Sequence, residues 1–416
     1  MVTTFFGAES FGGDAAYVDR LSRALLARGH EVTVVHCADS FDAVRHGLPL
    51  RSYTPPEGLE LHTLRSPWRT LSPLWTHQTG GPGPKGPALR ELLQGGRFDV
   101  VHFHNISLIG GPGVIEMAPA SAMKVMTLHE HWLVCPTSLL WKFGGEPCER
   151  PSCTACTLRA GRPPQLWRGG GRIQRAVDTL DVLLSPSEHT AEAHRRRGIT
   201  RPIATLPYHV PADWHELASP PEPPPADRPY VAAAGRLVHE KGFGALIEAM
   251  RAVPEVDLVL AGAGPEGAKL RRLARDLPNV RFAGLLDPPD LGRLFAGARA
   301  AVVPSLFYET FGYVVAEAAA VGTPAIVHDR GAPPELVAAG GGGLVYRDQA
   351  GLIDAIRRLG ADDALRAELG ARAARAAATL WSEEAHASGY LATLRDTGLL
   401  GVDVDREGHT HVGTGV

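Results

Sequence analysis

The chain has 416 residues, a formal net charge of −3 and a hydrophobic content of 44%. That length exceeds one ordinary core, so two domains are expected, and the near-neutral balance gives no reason to expect nucleic acid or a strongly basic membrane patch. Met1–Phe6 lacks the basic and apolar regions of a secretory signal and no apolar run reaches membrane-spanning length, which reads as a soluble cytoplasmic protein without a transmembrane segment.

Gly12 and Gly13 open a helical run from Asp14 to Arg28, closed by Gly29. Strands are predicted over Glu31–His36, Phe98–His102, Lys124–Leu128 and Asp181–Ser185. Five prolines between Ser219 and Asp227 predict an extended, semi-rigid linker over 219–228, dividing a first domain, 1–218, from a second, 229–380. Strands then recur over Tyr230–Ala234, Val256–Ala261, Val280–Phe282, Ala300–Val303 and Ala325–Val327. A helix from Tyr313 to Val321 stops at Gly322-Thr323-Pro324. A last helix starts at Trp381 (381–398), and the polar, Gly-bearing stretch 399–416 reads as a disordered tail. Strands alternating with helices predict βαβ units: an α/β protein of two Rossmann-like, doubly wound domains facing a central cleft.

Chemistry concentrates at predicted strand ends, where open α/β sheets bind ligands. Glu309-Thr310-Phe311-Gly312-Tyr313-Val314-Val315-Ala316-Glu317 places one carboxylate on a strand-to-helix loop and a second inside the helix. The first-turn amides of that helix lack intrahelical partners and sit at the positive end of its dipole, which suits an anion. Arg236 and Lys241 follow the strand ending at Ala234 and offer a fork of donors and a point charge to two phosphates. Surface ion pairs are the plainer reading of each cation alone. Gly262-Ala263-Gly264-Pro265 lacks the third glycine of a dinucleotide fingerprint and reads as structural support. In the first domain, the Gly12-Gly13 amides can approach a phosphate across the cleft. His102-Phe103-His104 ends one strand with both imidazoles on one face, and His129-Glu130-His131 ends the next.

Glu309 to Glu317 resembles the Glu-x7-Glu signature of retaining GT-B glycosyltransferases, family 4. Gly235-Arg236-Leu237-Val238-His239-Glu240-Lys241-Gly242 and Leu260-Ala261-Gly262-Ala263-Gly264-Pro265 match that family in order and spacing. The resemblance implies a nucleotide-diphosphate sugar as donor and an α-glycoside as product. It gives the diphosphate to Arg236 and Lys241, the ribose to Glu317, the transferred sugar to Glu309, and phosphate or sugar to the amides of Phe311, Gly312 and Tyr313. It gives the base to backbone groups of Gly284 and Leu285, the donor sugar near the scissile bond to His129, and the acceptor side to His104. It implies front-face substitution in which the leaving diphosphate takes the acceptor's proton and cationic side chains stand where a catalytic metal would. The last helix would cross back to the first domain. The acceptor stays open among a small natural product, a glycan and a lipid. The other readings are a GT-B-fold sugar-nucleotide epimerase or phosphorylase, and a non-catalytic nucleotide-binding module.

Cys135, Cys148, Cys153 and Cys156 crowd one excursion after His131. In a reducing compartment this reads either as a structural zinc site of four thiolates or as free, partly buried or redox-paired cysteines. The run Arg159, Arg162, Arg168, Arg172 and Arg175 reads as a solvated face, against an anionic acceptor or a membrane surface.

Overall fold

The structure, a computed structural model, describes residues 1–10, 12–45, 50, 52–211, 214 and 228–398. Residues 219–227 of the proline linker expected over 219–228, and the whole expected tail at 399–416, lie outside the described residues. The strands are β1 (Val32–Cys37), β2 (Leu59–Leu64), β3 (Val100–Phe103), β4 (Met123–Thr127), β5 (Trp141–Lys142), β6 (Glu146–Pro147), β7 (Val182–Ser185) and β8 (Ile203–Thr205). They continue with β9 (Tyr230–Ala234), β10 (Asp257–Ala261), β11 (Val280–Gly284), β12 (Ala300–Val303), β13 (Ala325–His328) and β14 (Gly343–Tyr346).

Two parallel layers result. In the first, β2-β1 and β3-β4-β7-β8 are joined through Val2, which bridges in parallel to Val35 of β1 and Phe103 of β3. In the second the order is β11-β10-β9-β12-β13-β14, every neighbouring pair parallel. Strands such as Ala300-Ala301-Val302-Val303 are buried along their whole length, as a parallel sheet covered by helices on both faces requires. Strand order reverses between β9 and β12, and in the first sheet between the Val2 segment and β3. These are the switch points at which doubly wound sheets bind ligands.

The two layers share an apolar core. Phe6, Tyr17 and Tyr208 pack in one cluster with Phe311, Val315 and Trp381. The closing helix, Glu383–Asp396, lies on the first layer. Its Tyr390 hydroxyl is 3.1 Å from His102 Nδ1, and its His386 bridges the Tyr17 hydroxyl (3.0 Å) and the Pro207 carbonyl (2.7 Å). The excursion after His131 forms the antiparallel ribbon β5–β6 and a short helix, Cys153–Arg159. Ser138, Leu140 and Phe143 within it hold φ of 68°, 51° and 54°, costly for residues with a side chain.

Candidate active site

The second layer supplies the anion-binding half. β12 runs into the loop 304–312, and Gly312, left-handed at φ 100°, caps the Tyr313–Ala320 helix. Gly242, at φ 73°, brings the loop after β9 against the loop after β12: a Cβ there would sit 1.9 Å from the Pro304 carbonyl oxygen. That approach sets Lys241 Nζ 2.5 Å from Glu309 Oε1, which also accepts from Ser305 Oγ at 2.6 Å. Arg236 is exposed at the mouth of the same loop. The turn after β10 braces it, since Gly235 and Leu237 donate to the Ala261 and Ala263 carbonyls at 3.1 and 2.9 Å. Glu317, inside the helix, faces the first layer. Arg20 Nη2 lies 3.6 Å from its Oε1. Burial pushes the Glu317 carboxyl up from its ordinary range, and Arg20 opposes that shift.

The first layer supplies a histidine cradle. His129, just past β4, is held between His104 Nδ1 (3.0 Å from Nε2) and the Tyr208 hydroxyl (2.5 Å from Nδ1). With Tyr208 donating to Nδ1, Nε2 keeps the proton and donates to His104. Desolvation pushes the His129 pKa down to about 3, so the ring is neutral at physiological pH. The His102 and His104 rings are tilted against each other with centroids 4.0 Å apart, on the one face that their i, i+2 spacing at the end of β3 gives them. Beside them a cavity is lined by His104, Asn105, His129, Glu130, Trp132 and Leu133. Desolvation raises Glu130 to about 7, reinforced by the Asp14 carboxylate and opposed by Ser138, Arg162 and Arg168. Asp14 is itself raised by burial and accepts from Asn105 Nδ2 at 3.1 Å.

Side chains from the two halves interlock. Thr310, next to Glu309, donates to the His129 carbonyl at 2.9 Å, and Ser187 donates to the Thr310 carbonyl at 2.7 Å. Tyr313 stacks on Tyr208 at 5.2 Å and lies against Gly13, where a Cβ would meet its ring at 2.9 Å. Gly12 and Gly13 do open the Gly13–Leu26 helix, but Tyr313 and the Asp14 carboxylate face that turn. Arg236, Lys241, Glu309, Phe311, Gly312 and Tyr313 thus gather around the β9/β12 switch point, with His129 opposite. Gly284 and Leu285 end β11, the edge strand two places away, with the Leu285 side chain exposed and the Gly284 carbonyl engaged by the Gly262 amide at 2.6 Å. Sequence reasoning missed Arg20, Tyr208, Ser305, Thr310 and Glu130. A signal existed for Arg20: Gly13, Tyr17 and Arg20 recur at i, i+4 and i+7, one face of a helix.

The cysteines correct an expectation. Cys135 is buried against Leu140 and Ala193, with Sγ 3.3 Å from Thr137 Oγ1. Cys153 heads the short helix in solvent, and Cys156 Sγ accepts from the Phe143 amide at 3.5 Å. All the cysteines are free. Among the described residues no three or more His, Cys, Asp or Glu side chains converge to hold a metal ion. The zinc reading of Cys135, Cys148, Cys153 and Cys156 therefore lacks its tetrahedral ligand set.

Comparison with known proteins agrees with this architecture. Residues 11–214 match the model of Glycosyltransferase Family 4, and residues 216–376 that of Glycosyl transferases group 1. A glycogen synthase of Mycobacterium tuberculosis is 40% identical over 403 residues, covering 90% of this chain and 88% of that protein. The lipopolysaccharide core biosynthesis glycosyltransferase LpsE of Rhizobium meliloti is 38% identical over 175 residues, or 41% of this chain and 51% of that protein. Among solved structures, Anabaena HepE in complex with UDP and glucose superposes with a TM-score of 0.63 at 16% identity, over 95% of this chain and 99% of that one. The chain belongs to the GT-B group 1 glycosyltransferases.

Proposed function

We propose that this glycosyltransferase moves a sugar from a nucleotide-diphosphate sugar to an acceptor hydroxyl with retention, giving an α-glycoside. The observation that carries the reading is the meeting of Lys241, Glu309 and the positive end of the Tyr313–Ala320 helix at the β9/β12 switch point, with Arg236 exposed beside them. A leaving diphosphate there meets two cations and unsatisfied amides, which stabilise negative charge as it develops. The HepE structure, solved with UDP and glucose, supports a nucleotide sugar as donor.

In this reading Arg236 and Lys241 hold the diphosphate, Glu317 the ribose and Glu309 the transferred sugar. His129 is neutral and acts as a hydrogen-bonding group at the donor sugar, not as an acid, and to reach the sugar it exchanges the bond that Nε2 makes to His104 in this structure. Glu130 borders the acceptor cavity and can accept from an incoming hydroxyl, with the Asp14 carboxylate near enough to raise it. The diphosphate takes that hydroxyl's proton as the new bond forms. Residues 1–218 carry the acceptor and 229–380 the donor, in a protein placed in the cytoplasm. No helix among the described residues is long and apolar enough to cross a membrane.

A thermal-shift screen of nucleotide-diphosphate sugars tests the donor, because a ligand binding the folded state alone raises the melting temperature. The responding donor is then incubated with candidate acceptors and the anomeric signals of the product are read by NMR. A β-linked product from an α-linked donor would refute retention. An epimerised donor formed without acceptor would move the assignment to an epimerase.

A further inference from the structure

The helix Leu71–Thr79 is turned inside out. It buries Ser72, Pro73 and Thr76, and it exposes Leu71 (62%), Leu74 (48%) and Trp75 (45%). A surface helix ordinarily buries its apolar stripe. Here the inner face is fastened by polar chemistry: buried Lys85 donates from Nζ to Ser72 Oγ at 2.8 Å, Thr76 Oγ1 at 3.2 Å and the Leu108 carbonyl at 3.1 Å. That anchor leaves the apolar face pointing outward. Trp68, 48% exposed, extends it and meets Trp75 edge-on, ring centroids 5.6 Å apart. Arg69 between them holds φ 45°, a strained backbone for a residue with a side chain.

A second segment packs against the C-terminal end of that helix. Trp167 donates from Nε1 to the His77 carbonyl at 2.9 Å and its ring covers Gly80, while neighbouring Leu166 is 80% exposed. Arg172 donates to the Thr79 carbonyl at 2.6 Å. Neither Leu61–Arg90 nor Arg150–Val177 contains a single Asp or Glu. Glu116 answers Arg172 at 3.6 Å, whereas Arg69 and Arg162 have no ion pair among the described residues. The whole-chain charge of −3 conceals this local excess of cations.

Exposed tryptophan and leucine amid cations, with no carboxylate in either segment, match a surface that is apolar beneath an anionic layer. We propose that the Trp68–Trp75 face, with Leu166 and Arg69, docks the protein peripherally on an anionic lipid bilayer. The surface leads toward the acceptor cavity: the Arg168 guanidinium lies over both the Trp167 and Trp132 rings, at 5.1 and 4.8 Å, and Trp132 lines that cavity. Docking there would hold the cavity near the headgroups. The proposal stands on the face itself and is independent of the donor and stereochemistry assigned above.

The test is flotation of the full chain with vesicles of phosphatidylcholine alone and of phosphatidylcholine mixed with phosphatidylglycerol. Binding to the mixed vesicles is expected to be roughly tenfold to a hundredfold tighter and to weaken with added salt. The triple variant L71Q/L74Q/W75Q, whose positions are exposed, should lose binding at an unchanged melting temperature. R69Q should lose part of the anionic preference. If the triple variant unfolds, quenching of wild-type tryptophan fluorescence by brominated mixed vesicles, diminished in W68F/W75F, carries the same information. No flotation with either vesicle would overturn the proposal. So would a concentration-dependent dimer that the triple variant disperses, which would make the face a contact between two copies of this chain.

Discussion

Arg20 and Glu317 stand 3.6 Å apart across the cleft, one on the first helix of the chain and the other on the helix that leaves the second sheet's switch point. Arg20 also lies 4.9 Å over the Tyr313 ring and donates to the His209 carbonyl at 3.1 Å, so its guanidinium is fixed from three sides. Replacing it with Met leaves a desolvated carboxylate without its partner. Arg20→Met is expected to destabilise the fold by on the order of 1.5–3 kcal/mol and to make nucleotide affinity fall as pH drops, because Glu317 then protonates more readily. Denaturant unfolding and calorimetry across pH check this. An unchanged midpoint and a flat pH profile would separate Arg20 from Glu317.

Lys241 and Arg236 should weaken the free nucleoside diphosphate and the intact donor alike when replaced by Ala. A lost charge-assisted contact of about 1.5–3 kcal/mol corresponds to roughly tenfold to a hundredfold in affinity. Ser305→Ala removes only the second hydrogen bond to Glu309, so it should lower turnover and spare diphosphate affinity. Titration calorimetry separates the cases, and unchanged diphosphate affinity in both cation variants would remove the clamp assignment.

Glu309→Gln and His129→Ala should reduce kcat on the order of a hundredfold while largely sparing nucleoside-diphosphate binding. Glu317→Gln should weaken both nucleotide and donor. Tyr208→Phe, which frees His129 Nδ1, should act on kcat in the direction of the His129 variant and less strongly. The reverse pattern, with Glu309→Gln losing diphosphate affinity and Glu317→Gln keeping it, would exchange the two glutamates' roles.

Acid should destabilise the protein through its buried imidazoles. Desolvation pushes His129 down to about 3 and His386 to about 4, and it lowers His102 and His104 as well. The unfolded chain protonates these rings near 6.5. Between that pH and the folded values the unfolded state binds more protons, so their contribution is complete above about 6.5 and is lost as pH falls toward 4 and 3. The urea midpoint should therefore drop as pH is lowered from about 7.5 to about 5. His386→Gln should flatten that slope. A midpoint independent of pH across the window would contradict neutral burial.

Thiol labelling under native conditions should modify Cys153 first and Cys37 and Cys135 slowly, following their exposure. Elemental analysis should find no stoichiometric zinc. About one zinc per chain with all four thiols of the excursion protected would reinstate the thiolate site.

Much of the donor half was legible because its signals are local. Gly322-Thr323-Pro324 ends the helix after Val321, Gly312 opens it, and an apolar strand feeds the loop that carries Glu309. Each depends on the conformational preferences of a few consecutive residues, which sequence reports directly. The alternation that puts His102 and His104 on one face is local in the same sense.

What the sequence could not show is which distant groups meet. Lys241 reaches Glu309 because Gly242 lets two loops from different βα units touch, and Glu317 meets Arg20 because the two sheets face each other. Tyr208 becomes a partner of His129 only when the segment after β8 passes over the end of β4. The cysteines made the opposite case: close spacing suggested a zinc cluster, but among the described residues they form no group able to hold a metal ion, with Cys135 buried and Cys153 exposed. No expectation from the sequence falls on Leu71–Thr79, where Lys85 satisfies buried hydroxyls and the leucines face out. By itself the sequence determined the central strands, though not β2, β8, β14 or the β5–β6 ribbon, together with the parallel α/β class and the family motifs, because these follow from local propensity and period. The tertiary structure alone decided the pairings across the cleft and the outward apolar face, because both depend on free energies of burial and hydrogen bonding that no contiguous stretch of chain contains.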